Sequence, residues 1–239
     1  MGADQNIDWA QAAASALDWW QEAGVDTLVE ESPRDWLAPP AAARAAPAAV
    51  VEAAPAAPPA TLAAFESWRV SAAAPDFGWG PSVAPGGDAE AGLMVLLDVP
   101  EREDAAAGHL LGGEAGRLFD RMLAAIGRNR QSIYLASLAV ARPISGRIAS
   151  GAAAGLAELA RYHIGLVRPK RLLVMGDAAN RAVLGTSAAA SGSILHVVKH
   201  AAGQSEAVAT FHPRFLLENP AQKARAWRDL QVLIEGMGA

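Results

Sequence analysis

The chain has 239 residues, enough for one good-sized core with an appendage. Apolar residues make up 52%, much of it alanine, and no apolar run approaches bilayer-spanning length. There are no cysteines, which excludes disulfides, thiol nucleophiles, thiolate zinc sites and cysteine-held iron–sulfur clusters. The net charge of −5 is unevenly spread: residues 1–80 balance to −8 and residues 81–239 to +3, with 14 arginines among 17 basic side chains in the second part. Arginine suits planar phosphate contacts, so the second part is the one expected to meet nucleic acid, although +3 is ordinary for a soluble domain. No basic segment followed by an apolar core opens the chain, so no secretion signal, a cytoplasmic location and no membrane partner are expected.

In chain order, residues 7–31 read as a helix with Trp9, Ala13, Leu17, Trp20 and Leu28 at three- and four-residue spacing. Asn6 or Asp8 is the candidate cap, and Pro33 ends the pattern. This helical extension is assigned to residues 1–37. Its tryptophans at 9, 19 and 20 either dock on the main domain or face a protein partner. Residues 38–60, almost all Ala, Pro and Val, read as an extended tether. The main domain is assigned to residues 61–239.

That domain starts with a short helix at 61–69 and a Gly/Pro-rich loop to Gly92. Leu93–Val99 is an unbroken apolar run, the pattern of a strand covered on both faces. A helix (Ala115–Ile126), a strand (Ile133–Val140), a helix (Gly155–Val167), a strand (Arg171–Met175) and a helix (Ala178–Leu184) follow. Strands at Ile194–Val198 and Ala207–Phe211 and a helix at Pro220–Ile234 complete the reading. The alternation predicts an α/β fold, a three-layer α/β/α sandwich with a mostly parallel central sheet.

The most informative stretch is Ala207-Val-Ala-Thr-Phe-His212-Pro213-Arg214-Phe215. An apolar strand delivers His212 to its carboxyl end, where ligand chemistry collects in open α/β sheets, and Pro213 can open a helix. An imidazole there can donate to an anion or act as acid or base; capping the turn is its plain alternative role. Asp98 ends the first strand run, with a solvated turn carboxylate as its alternative. Glu103 and Asp104 read as a solvated acidic turn, and His109 as a surface loop residue. His196 and His200 lie around a strand, where a four-residue step does not bring them together, so no metal site is expected. The turn from Gly176 into the following helix can hold phosphate or simply join strand to helix. No Walker or dinucleotide fingerprint is present, which weighs against an unrelated nucleotide-handling enzyme.

Five segments in order carry a resemblance: Leu97-Asp98-Val99-Pro100-Glu101, Gly113 to Leu123, Ile133 to Pro143, Leu166 to Gly176, and the stretch around His212. Over about residues 61–236 the chain resembles the uracil-DNA glycosylase superfamily, most closely its iron–sulfur class, family four. The N-terminal helix and tether also look like the extension of bacterial members. The resemblance implies excision of uracil or another damaged base from DNA, with the base extruded into a pocket. It implies catalytic roles for Asp98, standing where typical members have Glu, and for His212. It implies substrate contacts at Pro100, at Leu111 in place of a stacking aromatic and at Ser137 in place of a base-reading Asn. Pro213, Arg214 and Phe215 are implied in DNA contact, the loop filling the gap left by the flipped base. The glycines of the first motif are Leu97 and Glu101 here. Trp68 and Ala141 occupy two cluster-cysteine places and neighbours of Leu156 another, so packing is expected in place of the metal, and no cofactor is expected. DNA is the expected partner and a monomer the expected state. A catalytically impaired DNA- or protein-binding relative is the alternative to an active glycosylase.

Overall fold

The computed structural model describes residues 9–23, 58–235 and 237. The chain divides into two units, Met1–Ala56 and Ala57–Ala239. In the first, helix α1 spans Trp9–Glu22. The helix predicted over 7–31 therefore stops at a turn at Ala23 within the described residues; 24–31, and the tether up to residue 57, lie outside them.

The second unit runs α2 (Leu62–Arg69), β1 (Gly86–Gly87), β2 (Leu93–Leu97), α3 (Asp104–Ala107), α4 (Glu114–Ala125), β3 (Tyr134–Ser137), α5 (Ser150–Val167), β4 (Arg171–Met175), α6 (Asp177–Leu184), α7 (Ala188–Ser191), β5 (His196–His200), β6 (Gly203–Thr210), α8 (Pro213–Glu218) and α9 (Lys223–Ile234). The six strands form one sheet in the order β1-β3-β2-β4-β6-β5. β3, β2, β4 and β6 are parallel, while β1 and β5 pair antiparallel at the two edges. The chain steps from β2 to β3 on one side and then to β4 on the other, which opens a crevice beyond the carboxyl ends of β2 and β4.

β2 and β4 are buried along their whole length, β2 as an unbroken apolar run and β4 as four apolar residues after Arg171, whose guanidinium pairs with Glu206 at 2.7 Å. Alternate side chains feed two cores. Leu93, Val95, Leu97, Leu173 and Val208 meet Phe119 and Leu123 of α4 and Leu230 and Leu233 of α9 on one face. Met94, Leu96, Leu172 and Val174 meet Leu156, Ala160 and Ile164 of α5 and Ala179 and Val183 of α6 on the other. Each Val, Leu, Ile, Met or Phe among them, taken out of water, contributes about 1.5–3 kcal/mol.

Several predicted boundaries move. β3 ends at Ser137 rather than Val140, because Val140 turns to take the Val83 N–H on its carbonyl. α5 begins five residues early, at Ser150. β5 starts at His196, since its register is set by the hairpin that pairs His200 with Gly203 of β6. A 3-10 turn at Pro220–Gln222 precedes α9.

α2 is fastened to the sheet by a buried ion pair. Arg69 Nη1 donates to Asp76 Oδ1 at 2.6 Å, Arg69 Nη2 donates to the Leu138 carbonyl, and Asp76 Oδ2 accepts the Val140 N–H. Removing one partner of such a pair costs about 3–5 kcal/mol, because the other charge stays buried. Beside it, the Tyr134 hydroxyl donates to Glu66 Oε1 at 2.5 Å and lies 2.8 Å from His163 Nε2, with Phe65 packed on the His163 ring. His163 is held down to about 3 by burial and by Arg69, and, with the phenol hydrogen given to Glu66, the Nε2–H of the neutral ring donates to the phenol oxygen. Trp68 is half-buried against Phe65, while Ala141 and Leu156 are fully buried. Trp68 and Ala141 thus stand in two of the places where the resemblance puts cluster cysteines, with neighbours of Leu156 in another, and a chain without cysteine does not fit a thiolate-held cluster.

Candidate active site

Three strand ends converge at the crevice: Asp98 follows β2, Gly176 follows β4 and His212 follows β6 after Phe211. Asp98 and His212 line one cavity of about 700 Å³, together with Arg147, Arg181, Arg214, Phe211 and Phe215.

Asp98 reaches across to α6, where its Oδ1 accepts the Ala179 N–H at 2.6 Å. Gly176 makes this approach possible. Its φ is +103°, and a Cβ built there would stand 2.5 Å from Asp98 Cγ and 2.6 Å from Oδ1, inside contact distance. Burial raises the Asp98 carboxyl above its usual range, the Ala179 and Ala178 amides pull it back, and Asp177 raises it further.

His212 is the N-cap of α8, and its Nδ1 accepts the Arg214 N–H at 3.2 Å. With Nδ1 occupied as an acceptor, the hydrogen of the neutral ring belongs on Nε2. Burial, then the charges of Arg214 and Arg142, push the imidazole down to about 3. Glu101 Oε1 lies 3.6 Å from Nδ1, the distance of an ion pair. The ring is nonetheless neutral, because the Nδ1 lone pair already serves the Arg214 amide.

Glu101 is the residue that sequence reasoning underrated. Its side chain is 9% exposed and turns inward beside His212. Oε2 accepts from Arg214 Nη1 at 2.8 Å, while Oε1 has no hydrogen-bond partner among the described residues. Burial raises its carboxyl, and Arg214 and Arg142 lower it. Arg142 Nη1 donates to the Pro100 carbonyl at 2.9 Å and fixes the loop from that side. The signal was in the sequence: an acid stands where the first motif has glycine.

Pro100 is buried in that loop, and Pro213 is buried as the first residue of α8. Leu111 lines a different cavity, of about 680 Å³, with His109 and Arg130. It is 1% exposed with φ +56°, and its carbonyl accepts from Arg130 Nη2. Ser137 is buried at the end of β3, its hydroxyl unpartnered among the described residues. Neither of these two lines the Asp98–His212 cavity. Asp104, expected in solvent, is fully buried. Its two oxygens accept the Glu101 and Gly112 N–H groups, which the loop leaves without other acceptors. His196 and His200 bond separately to Ser191 and Ser205.

The order of these strand ends agrees with a family comparison: the model of the uracil DNA glycosylase superfamily matches residues 84–231. The chain belongs to the uracil DNA glycosylase superfamily. Among curated members it is 26% identical over 164 residues to the type-4 uracil-DNA glycosylase of Pyrobaculum aerophilum, a match covering 65% of this chain and 83% of that protein. As a superfamily member the chain is glycosylase-like, with an α/β fold and no cysteine. None of the described helices is long and apolar enough to cross a membrane.

Proposed function

We propose that this chain is a DNA base-excision glycosylase that hydrolyses the N-glycosidic bond of uracil or another damaged base. One observation carries the reading: the Asp98 carboxylate and the His212 imidazole line the same cavity. As the bond from C1′ to the base nitrogen breaks, the sugar becomes cationic and the base leaves with the electron pair. Asp98 favours the cation and orients a water, whose oxygen bonds to C1′ and whose proton leaves to solvent. His212 keeps its Nε2 hydrogen and donates a hydrogen bond through it to the departing base anion, which takes its proton from solvent. Both are fixed charges or dipoles in a poorly solvated place, where they act most strongly. DNA is the partner, met by Pro213, Arg214 and Phe215 at the start of α8.

A second reading, a catalytically impaired relative that binds DNA or a protein, is favoured by the Glu101 carboxylate beside His212. A departing anionic base would meet that charge. In this reading the Trp-rich helix α1 is the protein contact, and deleting residues 1–60 would abolish capture of that protein.

Oligonucleotides carrying a single uracil, hypoxanthine or xanthine test both readings through formation of abasic product. Base release that Asp98→Asn and His212→Ala abolish supports the first reading. Absence of product from every lesion, with an active superfamily member working alongside, overturns it. Salt-dependent binding without release then supports the second.

A further inference from the structure

Phe215 belongs to the loop that the resemblance implies in filling the gap left by a flipped base. A wedge of that kind slides an apolar side chain between base steps. Phe215 instead lies against Phe211, ring centroids 5.1 Å apart and planes 21° apart. Phe211 is 7% exposed and is backed in turn by the Arg225 guanidinium, 5.4 Å from its centroid. The pair is therefore a supported platform. Phe215 remains 39% exposed and lines the cavity that holds Asp98 and His212.

Around the same cavity stand three guanidinium groups. Arg214 is held by Glu101 and Arg181 by a long, exposed contact to Asp177 at 3.5 Å; Arg147 is exposed, with no side-chain partner among the described residues. An aromatic face beside several cations is the combination that holds single-stranded nucleic acid, the base on the ring and the backbone along the charges. Leu111, at the position of the family's stacking aromatic, lies in the other cavity and supplies no such face here.

We propose that the Phe211–Phe215 pair is a stacking platform for an unpaired base, so that the strand this cleft accepts is single-stranded. The proposal rests on the nucleic-acid reading above and extends it by naming the form of the substrate. Its readout is binding, so a failure to release any lesion leaves it standing, and its failure leaves the lesion assays untouched.

The test measures anisotropy of the full chain with a labelled oligo-dT of about ten nucleotides, a span typical of such platforms. A strand of equal length built from tetrahydrofuran abasic sites has the same phosphates and no bases. Phe215→Ala and Phe215→Leu should weaken oligo-dT binding between about five- and one-hundred-fold. Both should leave the abasic strand unchanged, and Phe215→Tyr should restore oligo-dT binding. Phe215→Leu keeps an apolar contact on Phe211, and equal melting temperatures show that the fold is retained. Equal losses on both strands, no loss on oligo-dT, or tighter binding to a blunt duplex of the same length would each overturn the proposal.

Discussion

Glu101 and Arg214 stand 113 positions apart in the chain and meet at 2.8 Å, joining the loop after β2 to the first turn of α8. The pair ties together the two segments that carry Asp98 and His212. It also occupies the one cavity-lining arginine that directly follows the His-Pro turn.

Glu101→Gln should release Arg214 to a phosphate. One additional phosphate contact steepens the dependence of log K on log salt by about 0.7 for a single strand. Titrations of oligo-dT across a salt series measure this directly. An unchanged slope would mean that Arg214 keeps its place without the carboxylate.

Gly176→Ala should destabilise the fold and disturb Asp98 together. The residue must hold φ +103°, and the new methyl would meet the Asp98 carboxylate. A backbone forced into such a region costs about 1–3 kcal/mol before any clash is counted. Urea unfolding gives the stability loss, and, on the glycosylase reading proposed above, base release by the folded fraction gives the effect on Asp98.

Acid should weaken the fold through its buried histidines. His212 and His163 titrate at about 3 when folded, against 6.5 ordinarily. Between those values the unfolded chain binds protons that the folded chain refuses, so stability rises with pH and is complete above about 6.5. The raised carboxyls of Asp98 and Glu101 act in the opposite sense, since the folded chain keeps protons there that the unfolded chain gives up. His212→Asn retains a capping acceptor and isolates the imidazole. Its stability difference between about pH 7.5 and pH 5 should be smaller than that of the parent chain by on the order of 1–2 kcal/mol.

The layers of this fold were legible because β2 and β4 carry apolar side chains on both faces and their connecting helices carry them on one. His212 was legible too, since an apolar strand running into His-Pro announces both its position and its cap. Contacts set by distant parts of the chain were not. Nothing local to Asp104 tells that two loop amides will need its oxygens, and nothing local to Leu111 announces φ +56°. Position in a motif placed Leu111 and Ser137 beside a base; backbone direction decides where they point. Glu101 could be flagged as an acid in a glycine position, but its partner could not be named without the fold.

The amide of Arg214 does more than begin a helix. By occupying one ring nitrogen of His212 it selects the tautomer, so the assignment of that hydrogen is written into the path of the main chain rather than left to the bulk acidity. A loosening of this single turn would let the two tautomers interconvert and take the hydrogen off Nε2 while every side chain stayed in place.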